Sequence, residues 1–218
     1  LHYPLKIKNP EYPILSWIIK VFLLWKQHYV ENPCPAGAVC TNGRVFSYRI
    51  CKDNQSMTTI NAATAATYKV GDTDQRPWGS YVVTGVGTTA TGEEFCTKDI
   101  TVTPGHILSL QSHEFRREHW VVKSGTLTVI LNDKRLTLQP GESVDIPRQA
   151  IHCMANLTAA PCIVSELQEG VCREADISRY VDANGRETEP LTCPIAEASV
   201  AHYTRVTNEI ASLFGGKK

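Results

Sequence analysis

None of the eight cysteines belongs to a C-x-x-C pair, so zinc-knuckle and thioredoxin-type readings have no footing. Net charge is also lacking, because 22 Lys and Arg balance 22 Asp and Glu. Without a basic field, nothing long-ranged draws the chain to nucleic acid or to an anionic membrane. An anionic substrate must instead be held by local Arg or Lys. The apolar run from Pro13 to Trp25, interrupted by Lys20, falls short of the ~20 residues that a bilayer span needs. A glycine-rich phosphate loop and a βαβ alternation are both missing, which excludes a doubly wound nucleotide-binding domain. The even cysteine count permits disulfides, but a chain of 218 residues does not require them. We therefore expect free, mostly buried thiols in a reducing, cytoplasmic setting.

What is present is a globular composition, 42% hydrophobic and 20% charged, enough for one domain with extensions. We divide the chain into an N-terminal extension (1–56), a polar lead-in (57–75), a barrel (76–186) and a C-terminal helical segment (187–218). Lys6 and Lys8 precede the Pro13–Trp25 run and PAGA follows at 35–38, a faint echo of a signal peptide. Our expectation is instead an amphipathic or buried helix packed on the barrel, with the functional unit starting near Met57.

From Arg76 onward, short β-prone runs alternate with turn residues. Strands are expected at 80–86, 95–102, 106–113, 118–122, 126–131, 135–138, 143–146, 152–157 and 162–167. Ser124-Gly125 reads as a hairpin turn between two of them. Many short strands at close spacing argue for an antiparallel sandwich or barrel. Residues 174–180 suggest one or two helical turns. Residues 194–214 read as a helix, with Val200, Tyr203, Val206, Ile210, Leu213 and Phe214 as its apolar stripe. That stripe should pack on the barrel or a second subunit rather than bind a ligand.

The chemistry concentrates in two stretches, Gly105–Gly125 and Gly141–Asn156. Gln111 and His113 are two apart on a strand and share a face. Glu118 follows a short link, and if the flanking strands pair, it comes opposite the His113 end. His152 arrives from a separate strand. An amide oxygen, two imidazoles and a carboxylate suit a divalent metal. Zinc is our first expectation; manganese, iron, cobalt and nickel fit the same donors. An inward Glu without a partner would be costly to bury, which favours the metal reading over simple packing.

These residues resemble the two cupin motifs. Gly105, Gln111, His113, Glu118 and Gly125 fit the first, with Gln for its first His. Gly141, Pro147, His152 and Asn156 fit the second, with Gln149 for its Gly. RPWG at 76–79, the run LSLQSHEFRREHWVVKSGTLTV at 108–129 and DISRYVDANGR at 176–186 are similar to the type II mannose-6-phosphate isomerases, over about half the chain. The resemblance implies an all-β cupin (RmlC-like) double-stranded β-helix, or jelly-roll barrel, with a C-terminal helix and an N-terminal extension. It implies a metal held by Gln111, His113, Glu118 and His152, a functional Arg116, and interconversion of mannose 6-phosphate and fructose 6-phosphate on the route to GDP-mannose. No guanylyltransferase domain is expected, since 1–75 is too short for one. A homodimer is expected by analogy with other cupins.

Isomerisation through an enediol needs a base between C1 and C2. His119 and a water on the metal both qualify, although strand parity turns His119 outward. Glu166 and Gln168 share a parity that could face the metal. For the phosphate, Arg76 and Arg186 are the expected holders alongside Arg116; Arg117 and Arg179 read first as surface arginines. The chain departs from the family at Arg117 (usually Ala), Cys153 (usually Arg) and Arg173-Glu174-Ala175 (usually Gly-Glu-Asp). A non-catalytic sugar-binding cupin, and another metal-dependent cupin enzyme such as a dioxygenase or epimerase, are the alternatives.

Overall fold

The computed structural model describes residues 38–41, 44–47, 68–186, 188–190 and 194–215. The helix expected at 13–25 and the start expected near Met57 lie outside the described residues. Strands β1 (Ala38–Thr41) and β2 (Arg44–Ser47) form an antiparallel hairpin.

The barrel is made of two antiparallel sheets. One contains, in spatial order, β10 (Lys134–Leu138), β9 (Leu127–Leu131), β12 (His152–Asn156), β7 (Leu110–His113) and β14 (Ile177–Val181), with β6 (His106–Ile107) also on β12. The other runs β11 (Ser143–Ile146), β8 (Arg116–Ser124), β13 (Cys162–Gly170), β5 (Glu94–Val102), β4 (Gly79–Thr88) and β3 (Thr73–Arg76). This is the cupin jelly roll that the motifs imply.

Side chains alternate along each strand, so one face of each sheet builds the interior. On β8 the buried set is Glu118, Trp120 and Val122, and on β13 it includes Val164, Glu166 and Gln168. Register places Val122 against Val164, Trp120 against Glu166 and Glu118 against Gln168. Lys98 on β5 lies against Glu166, and Ile100 against Val164. The barrel therefore has an apolar end and a polar end. Val102, Val122, Leu127, Val129, Met154 and Val164 belong to one continuous core, and burying such a side chain contributes ~1.5–3 kcal/mol.

Three expectations need correction. Ser124-Gly125 is not a hairpin: β8 and β9 belong to different sheets, and Gly125, at φ +76°, turns the chain from one to the other. β7 and β8 do not pair either, so His113 and Glu118 meet across the interior rather than along a hairpin. Of the one or two helical turns expected at 174–180, only the first part is helical. A single 3₁₀ turn, Glu174–Asp176, leads into β14, which pairs with β7. Strand pairing satisfies more of that backbone than an isolated turn could.

The C-terminal helix, α1 (Pro194–Phe214), falls where its stripe predicts. Ala196, Tyr203 and Val206 pack with Ile107, Leu110, Ile130, Ile151, Cys153 and Ala155 on the outer face of the first sheet. Ser199 Oγ donates to the Asn132 carbonyl at 2.7 Å, and Arg135 forks onto Glu209 at 2.6 and 2.7 Å. Leu213 stays exposed. Among the described residues no helix is long and apolar enough to cross a membrane. Cys96, Cys153, Cys162 and Cys172 are free and buried.

Gly170 closes β13 at φ +111°, and a Cβ there would lie 2.1 Å from the Phe115 carbonyl oxygen. Gly170→Ala is expected to destabilise the barrel by at least ~2 kcal/mol through backbone strain and displacement of the 114–116 link. Denaturant unfolding measures it, and an unchanged midpoint would show that this approach is not needed.

Candidate metal centre

β7 carries Gln111 and His113, β8 carries Glu118, and β12 carries His152. His113, Glu118 and His152 are all buried, and one ligand atom from each lies within 4.8 Å of the others. His113 Nε2 is 3.2 Å from Glu118 Oε1, and His152 Nε2 is 3.8 Å from Glu118 Oε2. Donors sharing one ion at roughly 2.0–2.2 Å stand about 3–3.5 Å apart, so the His113–Glu118 spacing suits a common cation and the wider ones would have to contract onto it.

The protonation chemistry agrees. His152 Nδ1 sits 2.9 Å from the Ala150 carbonyl, which takes the ring proton and leaves Nε2 as a lone pair. That Nε2 is buried and has no hydrogen-bond partner. His113 Nδ1 approaches the Asp176 carbonyl at 3.2 Å in the same way. Burial, and then Arg116, push His113 down to about 4. Burial also lowers His152. Burial works against the charge on Glu118, yet His113, Arg116 and His152 hold it well below the usual carboxylate range. Two neutral imidazoles and one carboxylate are a ready metal-binding set.

Supporting groups fix Glu118. Its Oε2 accepts from Trp120 Nε1 at 3.0 Å, and its Oε1 accepts from Arg116 Nε at 3.0 Å and Gln168 Nε2 at 3.3 Å. Arg116 is itself buried. Its Nη1 donates to the Arg173 carbonyl at 3.3 Å, and its Nη2 lies 3.0 Å from both His113 ring nitrogens. The buried Asp176 carboxylate accepts the backbone N–H groups of Glu114 and Phe115 at 3.1 Å each. This orders the link between the two ligand strands. Gln111 stands beside the cluster with its amide nitrogen 3.4 Å from His113 Nε2, while its oxygen accepts from Ser109 Oγ at 2.7 Å. Exchanging the two amide atoms would present the oxygen.

A jelly roll with a His-Glu-His cluster between its sheets defines a cupin with a metal-competent interior. Residues 63–182 match the family model for the mannose-6-phosphate isomerase C-terminal domain. The match covers more than half the chain, and the chain belongs to that family. It is 43% identical over 53% of its length to the alginate biosynthesis protein AlgA of Pseudomonas aeruginosa, covering 23% of that protein. It is 40% identical over 51% of its length to the mannose-1-phosphate guanylyltransferase ManC of Salmonella typhimurium, covering 22% of it. The chain thus spans under a quarter of these relatives. Among solved structures, the capsular polysaccharide assembling protein CapF of Staphylococcus aureus aligns with a TM-score of 0.43 at 16% identity, over 48% of this chain and 32% of that one.

The remaining expected residues scatter. His119 lies on the opposite face of β8 from Glu118, its Nδ1 2.7 Å from Asp145 Oδ1. Glu166 faces inward, its Oε2 accepting from Gln168 Nε2 at 2.8 Å. Arg76 pairs with Asp74 at 2.7 Å. Arg186 clasps Asp182, Nε to Oδ2 at 2.8 Å, away from the metal cluster. Arg179, read from the sequence as a surface residue, instead stands opposite Gln111 in register and so shares its inward face. Lys98 and Tyr68 were not singled out at all; single inward residues on separate strands leave no local pattern to find.

Two measurements check this geometry. His113→Ala and His152→Ala should each weaken metal binding by more than the ~10–100-fold that loss of a supporting residue costs, read as metal content after dialysis. Retained metal in both would remove the cluster. Burial pushes Asp182 up, but Arg186 outweighs it and holds the carboxyl at about 2. Its contribution is therefore present above about pH 4 and fades as pH falls through about 2. Arg186→Gln should cost on the order of 1 kcal/mol at pH 7, given the partly exposed pair, and a smaller amount near pH 2, by urea unfolding at both values.

Proposed function

We propose that this domain interconverts mannose 6-phosphate and fructose 6-phosphate. The observation that carries the reading is Arg116, a buried guanidinium bonded to the ligand Glu118 and lying against the ligand His113, in a chain of the mannose-6-phosphate isomerase family. A divalent metal held by His113, Glu118 and His152, with Gln111 as a fourth donor, would supply Lewis acidity toward the sugar's carbonyl and hydroxyl oxygens; zinc is the ion to try first.

Arg116 keeps a fixed positive charge beside those oxygens, where negative charge develops in an enediol-forming transition state. Trp120 and the apolar core behind it exclude water from that side. Glu166 is the inward carboxyl one register step deeper than Glu118, and burial and Glu118 raise it to about 8. A group of that acidity near neutral pH suits transfer of the C1/C2 proton. His119, on the outer face, is less suited to touch the same substrate.

The departures from the family leave this interior intact. Cys153 faces α1 rather than the metal cluster. Arg117 bonds Glu169 at 3.0 Å on the outer side. Gln149 adopts the left-handed backbone (φ +64°) that its motif assigns to Gly, and its side-chain amide donates to Glu114 at 2.7 Å. That bond offsets part of the conformational cost.

Metal-loaded protein is expected to convert mannose 6-phosphate in a coupled assay. Arg116→Lys should lower kcat by roughly 10²–10³-fold, the scale of losing one aligned electrostatic donor, with metal content retained. Metal-loaded wild type that binds the sugar phosphate without turning it over would favour the non-catalytic sugar-binding cupin. Oxygen consumption with bound iron would favour a dioxygenase.

A further inference from the structure

Lys98 is buried in the barrel interior, yet its ammonium makes neither an ion pair nor a hydrogen bond among the described residues. It lies over two aromatic rings, 3.8 Å from the Tyr68 centroid and 5.0 Å from that of Tyr81. Such faces stabilise a cation but do not neutralise it. Glu166, opposite it in register, and Glu174 act on it through space, but neither pairs with it directly, and a buried ammonium without a direct partner is costly unless the site is built to receive an anion.

A second cation is joined to the same group through Glu174. Arg179 on β14 faces inward beside Gln111, and its Nε is buried with no partner. One Nη2 reaches Glu174 Oε2 at 3.2 Å, and Tyr68 Oη donates to the other oxygen of that carboxylate at 3.2 Å. Glu174 is about half exposed, with 54% of its side chain open to solvent. It therefore reaches the surface, with Arg179 on one oxygen and the Tyr68 hydroxyl, whose ring carries Lys98, on the other. Burial pushes Glu174 up, but Arg179, Lys98 and Arg76 together hold it below the usual range. A carboxylate from the chain thus occupies a position that favours an anion.

The geometry points to Lys98 and Arg179 as the two-cation subsite that takes the phosphate group of the substrate, with Glu174 as the resident carboxylate the phosphate replaces. This rests on the proposed sugar-phosphate reading. A guanidinium fork and a point-charge ammonium suit a dianion with three acceptor oxygens. The subsite adjoins the metal cluster: Arg179 is beside Gln111, and Lys98 is in register with Glu166, which is in register with Trp120 next to Glu118. One sugar phosphate could reach both. Arg186, occupied by Asp182, is not needed for this.

The test uses the full, metal-loaded chain. Calorimetry with inorganic phosphate and with mannose 6-phosphate is compared for wild type, Lys98→Met, Arg179→Gln and Glu174→Gln, with metal content and thermal midpoint as folding controls. The two cation variants should each weaken both ligands at least ~10-fold, the loss expected when a charged partner is removed from a desolvated anion site. Glu174→Gln should tighten both, because a competing anion is gone. That opposite sign is something a merely structural role would not produce. Undiminished binding in Lys98→Met and Arg179→Gln, or weaker binding in Glu174→Gln, would overturn the assignment, as would a wild type that binds neither ligand. Should Lys98→Met fail to fold, Arg179→Gln, at the sheet edge, decides alone. If phosphate binding follows this pattern while wild type shows no isomerisation, the subsite stands and the isomerase reading falls.

Discussion

One buried carboxylate constrains the polar end of this barrel. Glu118 is sealed from solvent and cannot be left unpaired, because an isolated charge in a low-dielectric interior costs far more than packing returns. Its surroundings answer that demand. Arg116, Gln168 and Trp120 donate to it, and two imidazoles approach it from the opposite sheet. The imidazoles are kept neutral by burial, so they add lone pairs rather than charge. A divalent cation shared among the three would complete the balance. The same carboxylate ties β8 to β7 and β12, holding the two sheets in one arrangement.

The rest of the architecture serves that balance. The apolar end, from Val102 to Val164, gives the barrel its core and keeps water from one side of the cluster. Asp176 holds the 114–115 backbone, Arg173 pairs with Glu94 and offers its carbonyl to Arg116, and α1 covers the outer face of the first sheet. These contacts lie outside the cluster but set its ligand strands. Each uses a segment distant in sequence, so a change in the 173–176 turn would be felt at His113 and Arg116. His113, Glu118, His152 and Gln168 gather at one end of the interior, with Trp120 between them and the apolar core.

Much of the barrel was legible in the sequence. Strand positions follow from period-2 patterning and turn residues, and the residues 143–146 strand and the 194–214 helix appear at the expected bounds. The Ser124-Gly125 turn misled, because a glycine at positive φ serves a change of sheet as well as a hairpin, and local sequence does not distinguish them. The 174–180 segment misled because its strand character comes from pairing with β7. Charge alone could not separate Arg186, spent on Asp182, from Arg179, turned inward by its register with Gln111.

The sequence by itself determined an antiparallel sandwich or barrel, through periodicity and turn residues, and, through the resemblance of its motifs, the cupin class, the family and the residue types of the His-Glu-His cluster. Tertiary structure alone decided which sheet each strand joins, that Glu118 meets His113 across the interior rather than along a hairpin, and that Arg116 lies within the cluster while Cys153 and Arg117 do not. It also placed Lys98 beneath two tyrosines, with Arg179 joined to the same group through Glu174. These are long-range pairings, fixed by how buried charge is neutralised when two sheets close, and no window of sequence contains both partners.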